Sequence, residues 1–170
     1  KIDVQLAQLV SKVPKGEEWL YELKYDGYRI IAFVEGHSVR LMTRNGNDYM
    51  GRFHDIAASL IDFAAGRAMV LDGEMVITDQ SGKTDFQALQ NYIKNPKTKN
   101  LTYIVFDILA LDGKDLREYP LIDRKEILEA LMKDAPDNLY YSRYIRGNGP
   151  ESFDAACKTG MEGIVGKKAD

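Results

Sequence analysis

Strand-like runs joined by very short turns constrain this chain most. Residues 19–25 and 28–34 have strand character, and Glu35-Gly-His-Ser38 reads as a hairpin turn leading into a third run at 39–43. Strands linked by so few residues pair antiparallel, because a parallel return needs a crossover of a dozen residues or more. Further strands are predicted at 69–78, 101–111 and 139–145, with a last one from Glu162. Helical spacing falls between them. Leu6, Leu9, Val10 and Val13 recur at helical intervals before Pro14. Phe53, Ile56, Ala57, Leu60, Ile61 and Ala64 form one buried stripe ended by Gly66. Shorter helices are predicted at 85–93 and 152–158, and Asp123 with Glu126 resembles a capping box opening another. The alternation specifies an α+β fold of antiparallel β-sheets flanked by helices. Neither G-x-G-x-x-G nor G-x-x-x-x-G-K-[ST] occurs, so phosphate would be bound without a Rossmann or P-loop turn.

At 170 residues the chain suits one domain, and 45% hydrophobic with 29% charged residues is the composition of a globular protein. No apolar run reaches the roughly 18 residues of a membrane span, and the N-terminus lacks a signal-peptide pattern. A cytoplasmic location and no membrane partner are therefore expected. Cys157 stands alone, which excludes an internal disulfide; on its predicted helix it is expected to be a small buried residue. The net charge of -3 argues against binding nucleic acid through overall charge. Local basic groups recur at Lys94, Lys97 and Lys99, at Arg143 and Arg146, and at Lys167 and Lys168.

Charge also appears where core strands should be apolar. In Glu22-Leu-Lys-Tyr-Asp-Gly-Tyr-Arg29, strand alternation would place Tyr21, Leu23 and Tyr25 toward a core and Glu22, Lys24 and Asp26 on the other face. By itself such a row reads as a solvated charge ladder contributing ~0.2 to 1 kcal/mol per pair. In Val70-Leu-Asp-Gly-Glu-Met-Val-Ile77, Asp72 and Glu74 share a face within an apolar run, and Asp107 is isolated in Tyr103-Ile-Val-Phe-Asp-Ile-Leu109. Buried carboxylates need partners or take up protons. Glu162-Gly-Ile-Val-Gly-Lys-Lys168 adds an acid and two bases. Acids, a lysine and arginines converging from four strands point to a site for a divalent metal and phosphates.

The ordered set resembles the covalent nucleotidyltransferases, the superfamily of ATP-dependent DNA ligases, RNA ligases and mRNA capping enzymes. Glu22-Leu-Lys-Tyr-Asp-Gly-Tyr-Arg29 resembles their K-x-D-G motif, and Thr43-Arg-Asn-Gly46, Leu71-Asp-Gly-Glu74, Val105-Phe-Asp107 and Glu162-Gly-Ile-Val-Gly-Lys167 resemble the motifs that follow. The flavour is that of the ligase domain of bacterial end-joining DNA ligases. The resemblance implies the ligase and capping-enzyme nucleotidyltransferase fold, which is ATP-grasp-like, and gives each residue a role. Lys24 would attack the ATP α-phosphate and carry AMP covalently. Glu22 would meet adenine, Phe106 would stack on it, Arg44 would contact the nucleotide or its ribose, and Glu74 would approach the ribose or metal. Lys167 would approach the phosphate, Arg29 as a nucleotide-binding residue would with it add positive charge near Lys24, and Asp26 and Glu162 would hold Mg2+ or Mn2+.

An attacking lysine must be neutral, although its unperturbed pKa is about 10.4 and neighbouring acids favour the charged form. The acid, base, acid order about Lys24 therefore implies activation that depends on the metal. AMP would pass to a 5′-phosphate of nicked or broken double-stranded DNA in repair, with a Ku-type end-binding protein as a partner and a nucleoid-associated location. The family's last lysine motif and its OB-fold domain do not appear before Asp170, so the chain is expected to be a C-terminally incomplete ligase adenylation domain. The alternatives are a GTP-using capping or RNA ligase nucleotidyltransferase, and a non-catalytic nucleotide- or DNA-binding remnant.

Overall fold

The computed structural model describes residues 2–96, 100–158 and 163–170. Its strands fall into two sheets. Strands β2 (Tyr28–Glu35), β3 (Ser38–Thr43), β4 (Met69–Ile77), β5 (Leu101–Leu111) and β6 (Lys114–Asp115) form the larger sheet in the order β3-β2-β4-β5-β6. The smaller sheet places β1 (Trp19–Leu23) between β8 (Tyr144–Arg146) and β9 (Ile164–Lys168). All pairs are antiparallel except that β7 (Leu139–Tyr141) lies parallel to β5. The sheets are antiparallel as expected apart from that one pair, and the single strand expected at 139–145 is divided. It breaks at Ser142 and Arg143, so that β7 joins the large sheet and β8 the small one.

Helices cover the large sheet. Ile56, Ala57, Leu60 and Ala64 of α1 (His54–Ala64) and Leu89 and Tyr92 of α2 (Phe86–Lys94) pack with Ile30, Leu41, Leu71, Met75 and Tyr103 in the main core. The α1 stripe matches its sequence spacing, although the left-handed turn begins at Ala65 (φ 49°) and continues through Gly66. Asp85 caps α2 by accepting from the Ala88 N–H at 2.9 Å. No capping box opens α3 (Leu121–Leu131): the helix begins after Pro120, which places Asp123 inside the first turn. Helix α4 (Gly149–Lys158) carries Cys157 exposed, against the expectation of burial.

The helix expected across Leu6 to Val13 does not form. Residues 2–10 have no regular structure and Leu9 is fully exposed. The carbonyls that flank the segment are used elsewhere, Gln5 O accepting from Arg29 and Pro14 O from the Tyr21 hydroxyl. So short a stretch is marginal as a helix without a packed face.

α3 joins the two halves. Its Leu128 enters the main core, whereas Leu121 packs with Leu20 and Ala169 in a small second core. Lys125 lies between them on the same stripe, at i+4 from Leu121, and is fully buried.

Candidate active site

The predicted nucleophile lies where the chain crosses from one sheet to the other. β1 ends at Leu23, two residues earlier than expected, and β2 begins at Tyr28 in the other sheet. The crossing is held at both ends. The Lys24 N–H donates to Gly163 O at 2.9 Å, and the Asp26 N–H donates to Thr84 Oγ1 at 3.3 Å. Gly27 is required by proximity, since a Cβ there would overlap the Met75 carbonyl oxygen.

The expected charge ladder on β1 is not formed. Leu20, Tyr21 and Glu22 are buried whereas Leu23 is 39% exposed, so the Glu22 face is an inner one. Both sides of this short strand are covered, α3 packing near Leu20 and α4 near Tyr21. Glu22 is matched by two lysines. Lys125 Nζ donates to its Oε1 at 3.1 Å, and Lys167 Nζ lies 2.7 Å from its Oε2 in an ion pair not aligned as a hydrogen bond. Among the described residues, Oε2 is therefore buried without an aligned hydrogen-bond donor.

Phe106 owes its position to a bulge. On β4, Asp72 is opposite Asp107 and the next residue, Gly73, is opposite Val105, which leaves Phe106 as the extra residue of β5. Its ring is half-buried, with the Arg29 guanidinium 5.2 Å and the Lys167 ammonium 4.3 Å from its centroid. Its carbonyl, displaced from the ladder, accepts from Lys125 Nζ at 3.2 Å. Lys125 also donates to Ser142 O at 2.7 Å, which saturates the three N–H groups of its ammonium.

The isolated carboxylates of β4 and β5 are partnered. Arg29 holds Asp72 with two bonds, Nε to Oδ1 at 3.0 Å and Nη2 to Oδ2 at 2.6 Å. Arg124 holds Asp107 in the same way at 2.9 and 3.0 Å. Burial still raises the Asp72 pKa, with the Arg29 bonds opposing. Glu74, opposite Arg29 in the β2–β4 ladder, is pushed up to about 7 by burial, against the opposing charges of Arg29 and Lys24. Burial likewise pulls Lys125 down to about 8, with Glu22 opposing and Lys167 adding to the drop.

Glu22, Arg29, Phe106 and Lys167 are thus gathered from four strands, with Lys24 close enough for its charge to act on Glu74. Lys167, expected at the phosphates, is seated on Glu22 and Phe106. Arg44 is exposed on the turn that follows β3 and is joined to the cluster by no hydrogen bond or ion pair among the described residues. Asp26 is exposed beside Gly27. Glu162, Lys97 and Lys99 lie outside the described residues. Lys125, Arg124 and Ser142 are site components that the motifs do not contain. The one signal for Lys125 was a lysine on the inward stripe of a helix otherwise carried by Leu121 and Leu128.

The sequence matches the ATP-dependent DNA ligase domain over residues 4–170. It is 41% identical over 165 residues to the multifunctional non-homologous end joining protein LigD of Pseudomonas aeruginosa, covering 96% of this chain and 19% of that protein. The SPbeta prophage-derived DNA ligase-like protein LigB of Bacillus subtilis is 34% identical over 155 residues, which is 91% of this chain and 56% of LigB. The ligase domain of M. tuberculosis LigD superimposes with a TM-score of 0.82 at 33% identity, over 92% of this chain and 50% of that one. A mycobacterial DNA ligase D complexed with ATP and MES also gives 0.82, at 31% identity, over 97% of this chain and 53% of that one. The chain spans between about a fifth and just over half the length of these proteins.

Proposed function

Because the chain belongs to the ATP-dependent DNA ligase domain family, we propose that it attaches AMP to Lys24 and passes it to a DNA 5′-phosphate during end joining. One observation carries the reading. A single ammonium, that of Lys167, rests 2.7 Å from Glu22 Oε2 and 4.3 Å from the centre of the Phe106 ring. A flat base with an N–H edge placed there makes both contacts at once, stacking on the ring and donating to the orphaned oxygen. Arg29 is fixed by Asp72, so Lys167, held by one ion pair, is the group that gives way.

From that position the α-phosphate is presented to Lys24 at the crossing between the sheets. The Lys24 amine, having lost its proton, forms an N–P bond to the α-phosphorus as the bond from phosphorus to the pyrophosphate oxygen breaks. A 5′-phosphate oxygen of nicked or broken double-stranded DNA then displaces the lysine, and a neighbouring 3′-hydroxyl displaces AMP. A Ku-type protein that holds DNA ends is the partner such a reaction calls for.

Among the described residues no three metal-ligating side chains gather. Magnesium bound through substrate phosphates needs only one or two protein carboxylates, and the exposed carboxylate of Asp26, two residues from Lys24, suits a largely hydrated Mg2+ or Mn2+ on the triphosphate. Asp26 and Glu162 would hold it. There the ion would neutralise phosphate charge.

Incubated with ATP and magnesium, the chain should gain one AMP by intact mass spectrometry and no GMP from GTP. Lys24→Ala should gain none while unfolding at the parent's temperature, because Lys24 lies outside both cores. AMP on the Lys24→Ala chain would mean that another group is the nucleophile.

A further inference from the structure

Both proposed contacts to the base depend on one side chain outside the sequence motifs. Lys125 is fully buried, and its three donors reach Glu22 Oε1, the carbonyl of the bulged Phe106 and Ser142 O. The first lies in the small sheet, the second in the large sheet and the third between β7 and β8. The Lys125 ammonium also lies 4.6 Å from the Tyr141 ring centre and 5.7 Å from that of Tyr144. The side chain therefore has nowhere else to go, and the Glu22 carboxylate is fixed with one oxygen spent and the other lacking a donor.

We propose that Lys125 is a positioning residue for base selection. It holds Glu22 so that only Oε2 is open as an acceptor, and keeps the Phe106 bulge beside it. The site then takes a purine that presents an amino group at that edge and rejects one that presents a carbonyl oxygen, which would set two acceptors against each other in a buried place. This rests on Glu22 and Phe106 being the base contacts proposed above. Loss of Lys125 would leave Glu22 held by Lys167 alone, so that its carboxylate could turn and the edge it offers the base would no longer be fixed.

The test is the ratio of equilibrium Kd values for ATP and GTP, measured by calorimetry on the wild-type chain, Lys125→Met, Glu22→Gln and the double variant. Lys125→Met should reduce the preference for ATP by about tenfold or more. The double variant should lose no more than the larger single loss, because Lys125 acts through Glu22. Lys125→Gln, which keeps a donor, should recover part of the preference. It also keeps the proposal testable if Lys125→Met fails to fold. A purely structural role would weaken both nucleotides equally and leave the ratio unchanged in each folded variant, and that result would overturn the proposal. Failure of the wild-type chain to bind either nucleotide would overturn the function itself. A wild-type preference for ATP retained by Lys125→Met and Lys125→Gln would overturn only the role of Lys125.

Discussion

At the scale of single residues, the site contains charges that are buried and unevenly compensated. Asp72 and Asp107 each have an arginine fork, and Glu22 has two lysines. Glu74 lacks such a clamp, and burial raises its pKa from 4.5 to about 7. Between those values an unfolded chain has released the Glu74 proton while the folded one keeps it, so stability contributed by this residue falls as pH rises through the window and is flat above it. Glu74→Gln removes that loss. The melting temperature of the variant relative to wild type should therefore rise by a few degrees between pH 4.5 and pH 7, since ~1 kcal/mol moves a chain of this size by roughly 2–4 °C. A difference that stays constant across the window would show that Glu74 ionises normally. Lys24, Phe106 and Lys167 were legible as candidate site residues because local motifs hold them. Lys125 was not, since a lysine in a helix reads as surface unless its neighbours on the stripe are known to be buried on two different cores.

At the scale of elements, the bulge in β5 decides where the aromatic ring goes. Sequence alternation identified strands β2, β4 and β5 nearly to the residue, but an extra residue in one strand becomes visible only against its partner. Val105 and Ile108 are buried while the two residues between them both reach the site. Gly73 lies opposite this bulge, and a Cβ there would overlap the Ile104 carbonyl oxygen and press on the Tyr103 ring. Tyr103 is itself fixed, donating from its hydroxyl to Ile30 O at 2.7 Å. Gly73→Ala should thus destabilise the fold by about 1–3 kcal/mol, as overpacked cores do, and should weaken ATP binding because the bulge moves. Denaturant unfolding and nucleotide titration on the one variant check both parts. Wild-type values in both would mean that the strand pair yields without disturbing Phe106. The N-terminal segment shows the opposite error of sequence reading. Leu6, Leu9 and Val10 have helical spacing, yet at 55%, 103% and 60% exposure they have no face to bury.

At the scale of the whole molecule, two sheets share one helix, and the chain crosses between them at residues 24–27 and again at Ser142 and Arg143. The large sheet supplies Arg29, Asp72, Glu74 and Phe106, and the small sheet supplies Glu22 and Lys167. Lys24 belongs to neither, which explains how the proposed nucleophile can stand beside a packed core without being buried in it. The expected row of acid, base and acid dissolves at this scale: Glu22 faces inward to Lys125, and Asp26 faces solvent on the connecting segment. Their spacing in sequence is the spacing of a crossing, with a different neighbourhood for each residue. After incubation with ATP and magnesium, peptide mapping by mass spectrometry should find AMP on the fragment containing Lys24 and on no other. AMP on Lys125 or Lys167, or on no lysine of a folded, nucleotide-binding chain, would contradict it.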